Sequence, residues 1–159
     1  MTAAHTVPSS ASAITFPKRP KARLVAKQTV LASGATERPI VFGGNDRPGV
    51  MLAGAVRTYL NRFGVAPGQR AVVFTNNDYG ATTVTALKRA GVDVVALVDS
   101  RPELSEQVKR IAGEAGTKLI SGGVVTGALG KKRVTGVTIQ TRTDDEIKLE
   151  CDLVAVSGG

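Results

Sequence analysis

Histidine, cysteine and aromatic residues are nearly absent from this sequence, and each shortage removes a class of chemistry. The one histidine, His5, stands among Ala, Ser, Thr and Pro near the start. That excludes a His-based catalytic triad and a set of imidazoles for zinc. The one cysteine, Cys151, excludes an internal disulfide framework and an all-cysteine metal site. Aromatics make up 4% of the chain and Trp is missing, so a stacking platform for single-stranded nucleic acid is not expected. No apolar run approaches the roughly 20 residues of a membrane helix. Residues 1–13 have neither a charged start nor an apolar stretch, so they do not read as a secretory signal. A cytoplasmic protein is expected.

What is present suits a globular α/β domain. The 159 residues are 42% apolar and 21% charged, enough for one ordinary domain with a real core. Charge is unevenly placed. Residues 1–70 hold ten Lys and Arg against Glu37 and Asp46, whereas residues 71–159 hold eleven of each sign. Clustered cations are the footprint of phosphate binding. However, Lys18, Arg19, Lys21, Arg23 and Lys27 flank Pro17 and Pro20 without helical periodicity. They read as a basic leader over residues 1–21, and a nucleic-acid partner is not the expectation.

Punctuation and periodicity then lay out the chain. A strand signal builds from Leu24 and ends in the small residues Ala32, Ser33 and Gly34. Residues 43–49 are dense in turn formers. Leu52, Ala55, Val56, Tyr59, Leu60 and Phe63 recur at helical spacing, with Gly64 as the stop. Residues 70–75 read as a buried strand, 81–90 as a helix closed by Gly91, and 93–98 as a second strand closed by Asp99. Pro102 is expected to open the next helix, and 118–121 forms a third strand. Strand, helix and strand within about 30 residues make a parallel βαβ unit with both sheet faces covered. Residues 124–126, 134–142 and 146–151 alternate apolar and polar, as an antiparallel meander does. Residues 152–156 are again an apolar strand, running into Ser157, Gly158 and Gly159.

The βαβ turn carries the one motif of interest. A dinucleotide loop needs G-x-G-x-x-G, so that backbone can approach a pyrophosphate at a helix N-terminus. Here the window is Thr75-x-Asn77-x-x-Gly80, which keeps only the third glycine. Asp78 adds a negative charge beside a site meant for an anion. Asp99 lies 24 residues after Thr75, where a ribose-binding acid belongs. The candidate cofactor-binding residues are therefore Thr75, Asn77, Gly80 and Asp99, with the strand-end groups Ala32, Ser33, Gly34, Ser157 and Gly158. Two readings stay open: a dinucleotide site, or a Rossmann-like scaffold that holds no nucleotide in this loop. Cys151, with no base or cation beside it in sequence, reads as buried and inert. No catalytic residue and no metal ligand is assigned.

From Ala32-Ser33-Gly34-Ala35-Thr36-Glu37-Arg38-Pro39 onward, the sequence resembles the alpha subunits of heterotetrameric sarcosine oxidases. The resemblance runs through the specific stretch from Asn45-Asp46-Arg47-Pro48-Gly49 to Phe63-Gly64-Val65, through residues 68–78, and on to Val98-Asp99-Ser100-Arg101-Pro102. It covers residues 22–159. The wider grouping is the two-dinucleotide-domain fold of pyridine nucleotide-disulfide oxidoreductases, in which a second Rossmann domain is inserted into a first.

That resemblance implies a division of the chain. Residues 22–65 would supply a hinge strand and helix, 66–151 the inserted domain with its meander, and 152–159 the return strand, the whole truncated at both ends. It implies a complex with beta, gamma and delta subunits that demethylates sarcosine oxidatively to glycine with hydrogen peroxide. It also implies NAD on the alpha subunit and FAD or FMN on a partner. The intact glycine loop of a first Rossmann unit is missing here, so the isolated chain is expected not to catalyse the reaction.

Overall fold

The computed structural model describes residues 27–28 and 30–159. The basic leader with its cations from Lys18 to Arg23, and residues 24–26 and 29 of the strand expected from Leu24, lie outside the described residues. The chain divides into two units, Met1–Gly34 and Ala35–Gly159. In the first, residues 30–34 carry no strand, contrary to the reading of the sequence. Val30 and Leu31 are 89% and 90% exposed. An apolar run becomes a strand only where a neighbour takes its backbone hydrogen bonds, and residues 30–34 join no ladder among the described residues.

The second unit is built on a five-stranded parallel sheet. Its elements are β1 (Val50–Leu52), α1 (Ala53–Phe63), β2 (Arg70–Thr75), α2 (Asp78–Arg89), β3 (Asp93–Asp99), α3 (Glu106–Glu114), β4 (Lys118–Ser121), β5 (Val124–Leu129), β6 (Gly136–Gln140), β7 (Glu146–Glu150) and β8 (Leu153–Ser157). Strand order is β1-β8-β2-β3-β4, and β5-β6-β7 form a separate antiparallel sheet. Strands β2 and β8 lie side by side, with Val72 opposite Val154 and Thr75 opposite Ser157.

Successive side chains of a strand point to opposite faces, and here both faces are apolar. Ala71, Val73, Leu97, Leu153 and Ala155 pack with Val56, Val84, Leu87 and Val108 of the helices. Val72, Phe74, Val98, Val154 and Val156 pack instead with Val125, Val137 and Ile139 of the antiparallel sheet. The fold is thus three-layered: helices, parallel sheet, meander. This explains why β2 and β8 read as unbroken apolar runs rather than alternating ones.

Helix boundaries follow their caps. Gly64, at φ 64°, ends α1 in the left-handed region. Helix α2 starts at Asp78, three residues before the sequence reading placed it, because Asn77 caps it and accepts from the Gly80 N–H. Helix α3 starts not at Pro102 but after Ser105, whose hydroxyl accepts from the Val108 N–H. A strong N-cap outweighs proline's preference for the first helical turn. Strand β1, hidden behind the turn residues 43–49, was not expected. Among the described residues no helix is long and apolar enough to cross a membrane.

Candidate functional site

In an open parallel sheet, ligands gather outside the carboxyl ends of the strands where the winding reverses. Here that point lies between β2, which continues into α2 and β3, and its neighbour β8. Thr75, Asn77, Gly80, Asp99, Ser157 and Gly158 are all placed at that end of the sheet, on the strand ends of β2, β3 and β8 and the start of α2. Ala32, Ser33 and Gly34 belong to the first unit, where each is exposed and outside any helix or strand.

The loop after β2 is closed by its own side chains. Thr75, fully buried, accepts from the Asn77 N–H at 3.1 Å and donates its hydroxyl to the Asn77 carbonyl at 3.0 Å. Gly80 packs directly on it: a Cβ at Gly80 would stand 2.5 Å from Thr75 Cβ. The third glycine therefore keeps the helix–strand contact for which that position is reserved. Asn77 spends both ends of its amide. Its Oδ1 accepts from the Gly80 N–H at 3.1 Å, and its Nδ2 donates to the Ser157 carbonyl at 3.3 Å and to Asn76 Oδ1 at 3.2 Å. Asn76 Oδ1 also accepts from the Gly159 N–H at 3.1 Å. The two asparagines lace β2 to β8 across the crevice.

The acid at the end of β3 is likewise engaged. Asp99 is fully buried, and its Oδ1 accepts from the backbone N–H and the Nε of Arg101, both at 3.0 Å. Its Oδ2 accepts from Arg101 Nη2 at 2.8 Å, and the same nitrogen reaches Asp78 Oδ1 at 2.7 Å. Hydrogen bonding from Ser105, then from Arg101, holds the Asp78 carboxyl below its ordinary range. The hydrogen bond to Asp99 is the main reason the Arg101 guanidinium is held still more firmly protonated than usual. Sequence reasoning named Asp99 and Asp78 but missed Arg101. The only signal available was an arginine two residues beyond an acid at a strand end.

These residues do not fit a dinucleotide. Asn77 places a side chain where bare backbone must meet the pyrophosphate, and Asp78 sets a carboxylate at the helix N-terminus that should attract the anion. Neither Asp99 oxygen is left without a donor for a ribose hydroxyl to replace at no loss.

A cavity of about 470 Å3 opens beside the lacing, lined by Glu37, Gly54, Arg57, Asn77, Tyr79 and Gly158 among others. Glu37 Oε2 accepts from the Gly54 N–H at 2.7 Å, at the positive end of α1. Its Oε1 is buried without a hydrogen-bond partner among the described residues. Arg57 lies over the Tyr79 ring at 4.4 Å from the centroid and donates to Thr83 Oγ1 at 2.5 Å. Neither Glu37 nor Arg57 was singled out from the sequence as a site residue. Among the described residues that line the cavity, no nucleophile meets a general base. Cys151, on the meander side, is 3% exposed, and burial first, then the Asp152 charge, pushes its thiol up to about 12.

No family model matches the chain. Among curated proteins it is 48% identical over 137 residues to the sarcosine oxidase subunit alpha of Rhizobium meliloti (strain 1021), covering 86% of this chain and 13% of that one. It is 43% identical over 141 residues to the subunit of the same name from Corynebacterium sp. (strain U-96), covering 84% and 14%. The chain thus spans about one-seventh of the length of these relatives. Among solved structures it is similar to T. acidophilum thioredoxin reductase, with a TM-score of 0.66 at 20% identity, over 79% of this chain and 42% of that one. It is also similar to a FAD-dependent pyridine nucleotide-disulphide oxidoreductase from Desulfovibrio vulgaris, with a TM-score of 0.61 at 17% identity, over 77% and 34%. The chain is therefore similar to one segment of sarcosine oxidase alpha subunits, on the fold of the pyridine nucleotide-disulfide oxidoreductases.

Proposed function

We propose that this chain supplies the inserted Rossmann-like unit of a sarcosine oxidase-type alpha subunit and acts there as a structural element rather than a nucleotide carrier. The observation that carries this reading is the Asn77 lacing together with the Arg101 grip on Asp99, set beside the similarity to alpha subunits. In that assembly sarcosine is demethylated oxidatively to glycine with hydrogen peroxide. The flavin that supplies the amine oxidation sits on a partner subunit, and NAD rests in a glycine loop outside this unit. The role of this chain is to present the carboxyl end of its sheet, with Glu37 and Arg57, to the rest of the assembly.

A calorimetric titration of the purified chain with NAD, and separately with FAD, tests the reading. No heat from a folded protein is the expected result. Binding tighter than roughly 100 μM, about −5.5 kcal/mol, with shifts at the Thr75 and Gly80 amides, would sink it. The chain would then be a free-standing dinucleotide-binding module.

A further inference from the structure

A second recess lies away from the strand ends, on the helical layer between α1 and α2. It has a volume of about 330 Å3 and is lined by Arg57 and Asn61 of α1 and by Thr82, Thr85 and Arg89 of α2, among others. Two arginines, two threonines and an asparagine thus line one groove, and no carboxylate is among its lining residues. Among the described residues neither Arg57 nor Arg89 forms an ion pair. Helix α1 contains no acidic residue, and α2 contains only Asp78, which Arg101 holds.

The groove is also partly pre-arranged. Arg57 is fixed by Thr83 on one side and by the Tyr79 ring beneath it, so little rotamer freedom remains to be lost on binding. Thr82 and Thr85 are three residues apart, which places them on one flank of the helix. The Thr82 hydroxyl donates to the Tyr79 carbonyl at 2.7 Å, whereas that of Thr85 makes no side-chain hydrogen bond among the described residues. Like charges that share a groove repel each other until a counter-charge enters it, and guanidinium forks match the oxygen spacing of a tetrahedral or planar oxyanion.

We propose that the groove between α1 and α2 is an oxyanion site that takes a small phosphate monoester. Two arginines match the double negative charge of such a group, and the volume leaves room for a short organic substituent beside the phosphate. Asn61 and Thr85 would supply neutral donors to the remaining oxygens. The proposal rests on the helical face and does not use the loop at Thr75, although the groove shares Arg57 with the first cavity.

Titration of the full chain with glycerol 3-phosphate, inorganic phosphate and succinate at constant ionic strength tests it, followed by amide and arginine side-chain NMR. Glycerol 3-phosphate is expected to shift Asn61, Thr85 and Arg89 with saturation in the low millimolar range or below. Arg89→Ala should weaken it at least about fivefold, the loss of one charge-assisted contact, and Arg89→Lys should restore part of it. Arg142→Ala, an exposed arginine of the meander, should leave it unchanged. Equal affinity for succinate, an unchanged affinity in Arg89→Ala, or no saturation would each overturn the proposal. Tighter binding of a short DNA duplex through the same residues would also overturn it, in favour of a nucleic-acid surface.

Discussion

Arg101 holds both oxygens of the Asp99 carboxylate while about a third of its own side chain stays in water. One partner is fully buried and the other is not, so the pair is asymmetric in what its loss would do. Arg101→Ala strands a buried carboxylate and is expected to cost about 2–3 kcal/mol, below the full value for a buried pair because the arginine is partly solvated. Asp99→Asn combined with Arg101→Ala should lose less than the single change. Urea unfolding of the three proteins measures both.

Asp78 makes the fold sensitive to acid. Its carboxyl is held below the ordinary value by Ser105 and Arg101, so the unfolded chain binds the proton more readily than the folded one. The contribution is present above about pH 3.8–4 and is lost as pH falls through the lower, folded value. Urea midpoints recorded from pH 5 down to pH 2.5 should therefore fall less steeply in Asp78→Asn than in the parent. Identical slopes would mean that Asp78 contributes nothing to acid sensitivity.

The contact between Gly80 and Thr75 predicts a specific rescue. Gly80→Ala forces a methyl to within 2.5 Å of Thr75 Cβ and should destabilise by about 2 kcal/mol or more, as overpacking does. Thr75→Gly removes the obstructing group. The double variant Thr75→Gly/Gly80→Ala should be closer to the parent than the sum of the two single losses. A strictly additive double variant would show that the two side chains do not compete for this space.

Cys151 offers a probe that needs no substitution. With its thiol pushed up to about 12 and 3% exposed, it should resist iodoacetamide at pH 8 in the folded protein and react promptly in urea. Labelling followed by intact mass then reports global opening. Rapid labelling without denaturant would place Cys151 at a locally opening edge instead.

How much of this was legible beforehand depends on where the physical signal lay. Strands β2 and β4 fell where residues 70–75 and 118–121 placed them: β2, buried on both faces, leaves a continuous apolar record, whereas β4, at the sheet edge, buries only Ile120 and is marked by Leu119 and Ile120 alone. The start of α3 did not, because Pro102 and Ser105 both carry start signals and only the hydroxyl contact to Val108 decides between them. Strand β1 is three residues long and exists because β8 pairs with it, a relation between segments a hundred residues apart. The site divides in the same way. Degeneracy of the glycine loop could be read directly from Thr75 and Asn77. The grip of Arg101 and the cavity wall of Glu37 and Arg57 are tertiary, and no local pattern announces them.

The position of β8 between β1 and β2 bears on how fast the molecule can form. Val72 finds its partner Val154 only after a separation of 82 residues, and both are in the core. Closing so long a segment is entropically costly before any contact rewards it. The centre of the sheet should accordingly be among the last parts to consolidate. Until it does, β2 presents an unpaired apolar edge, and the length of that window sets how long the chain is open to edge-to-edge aggregation.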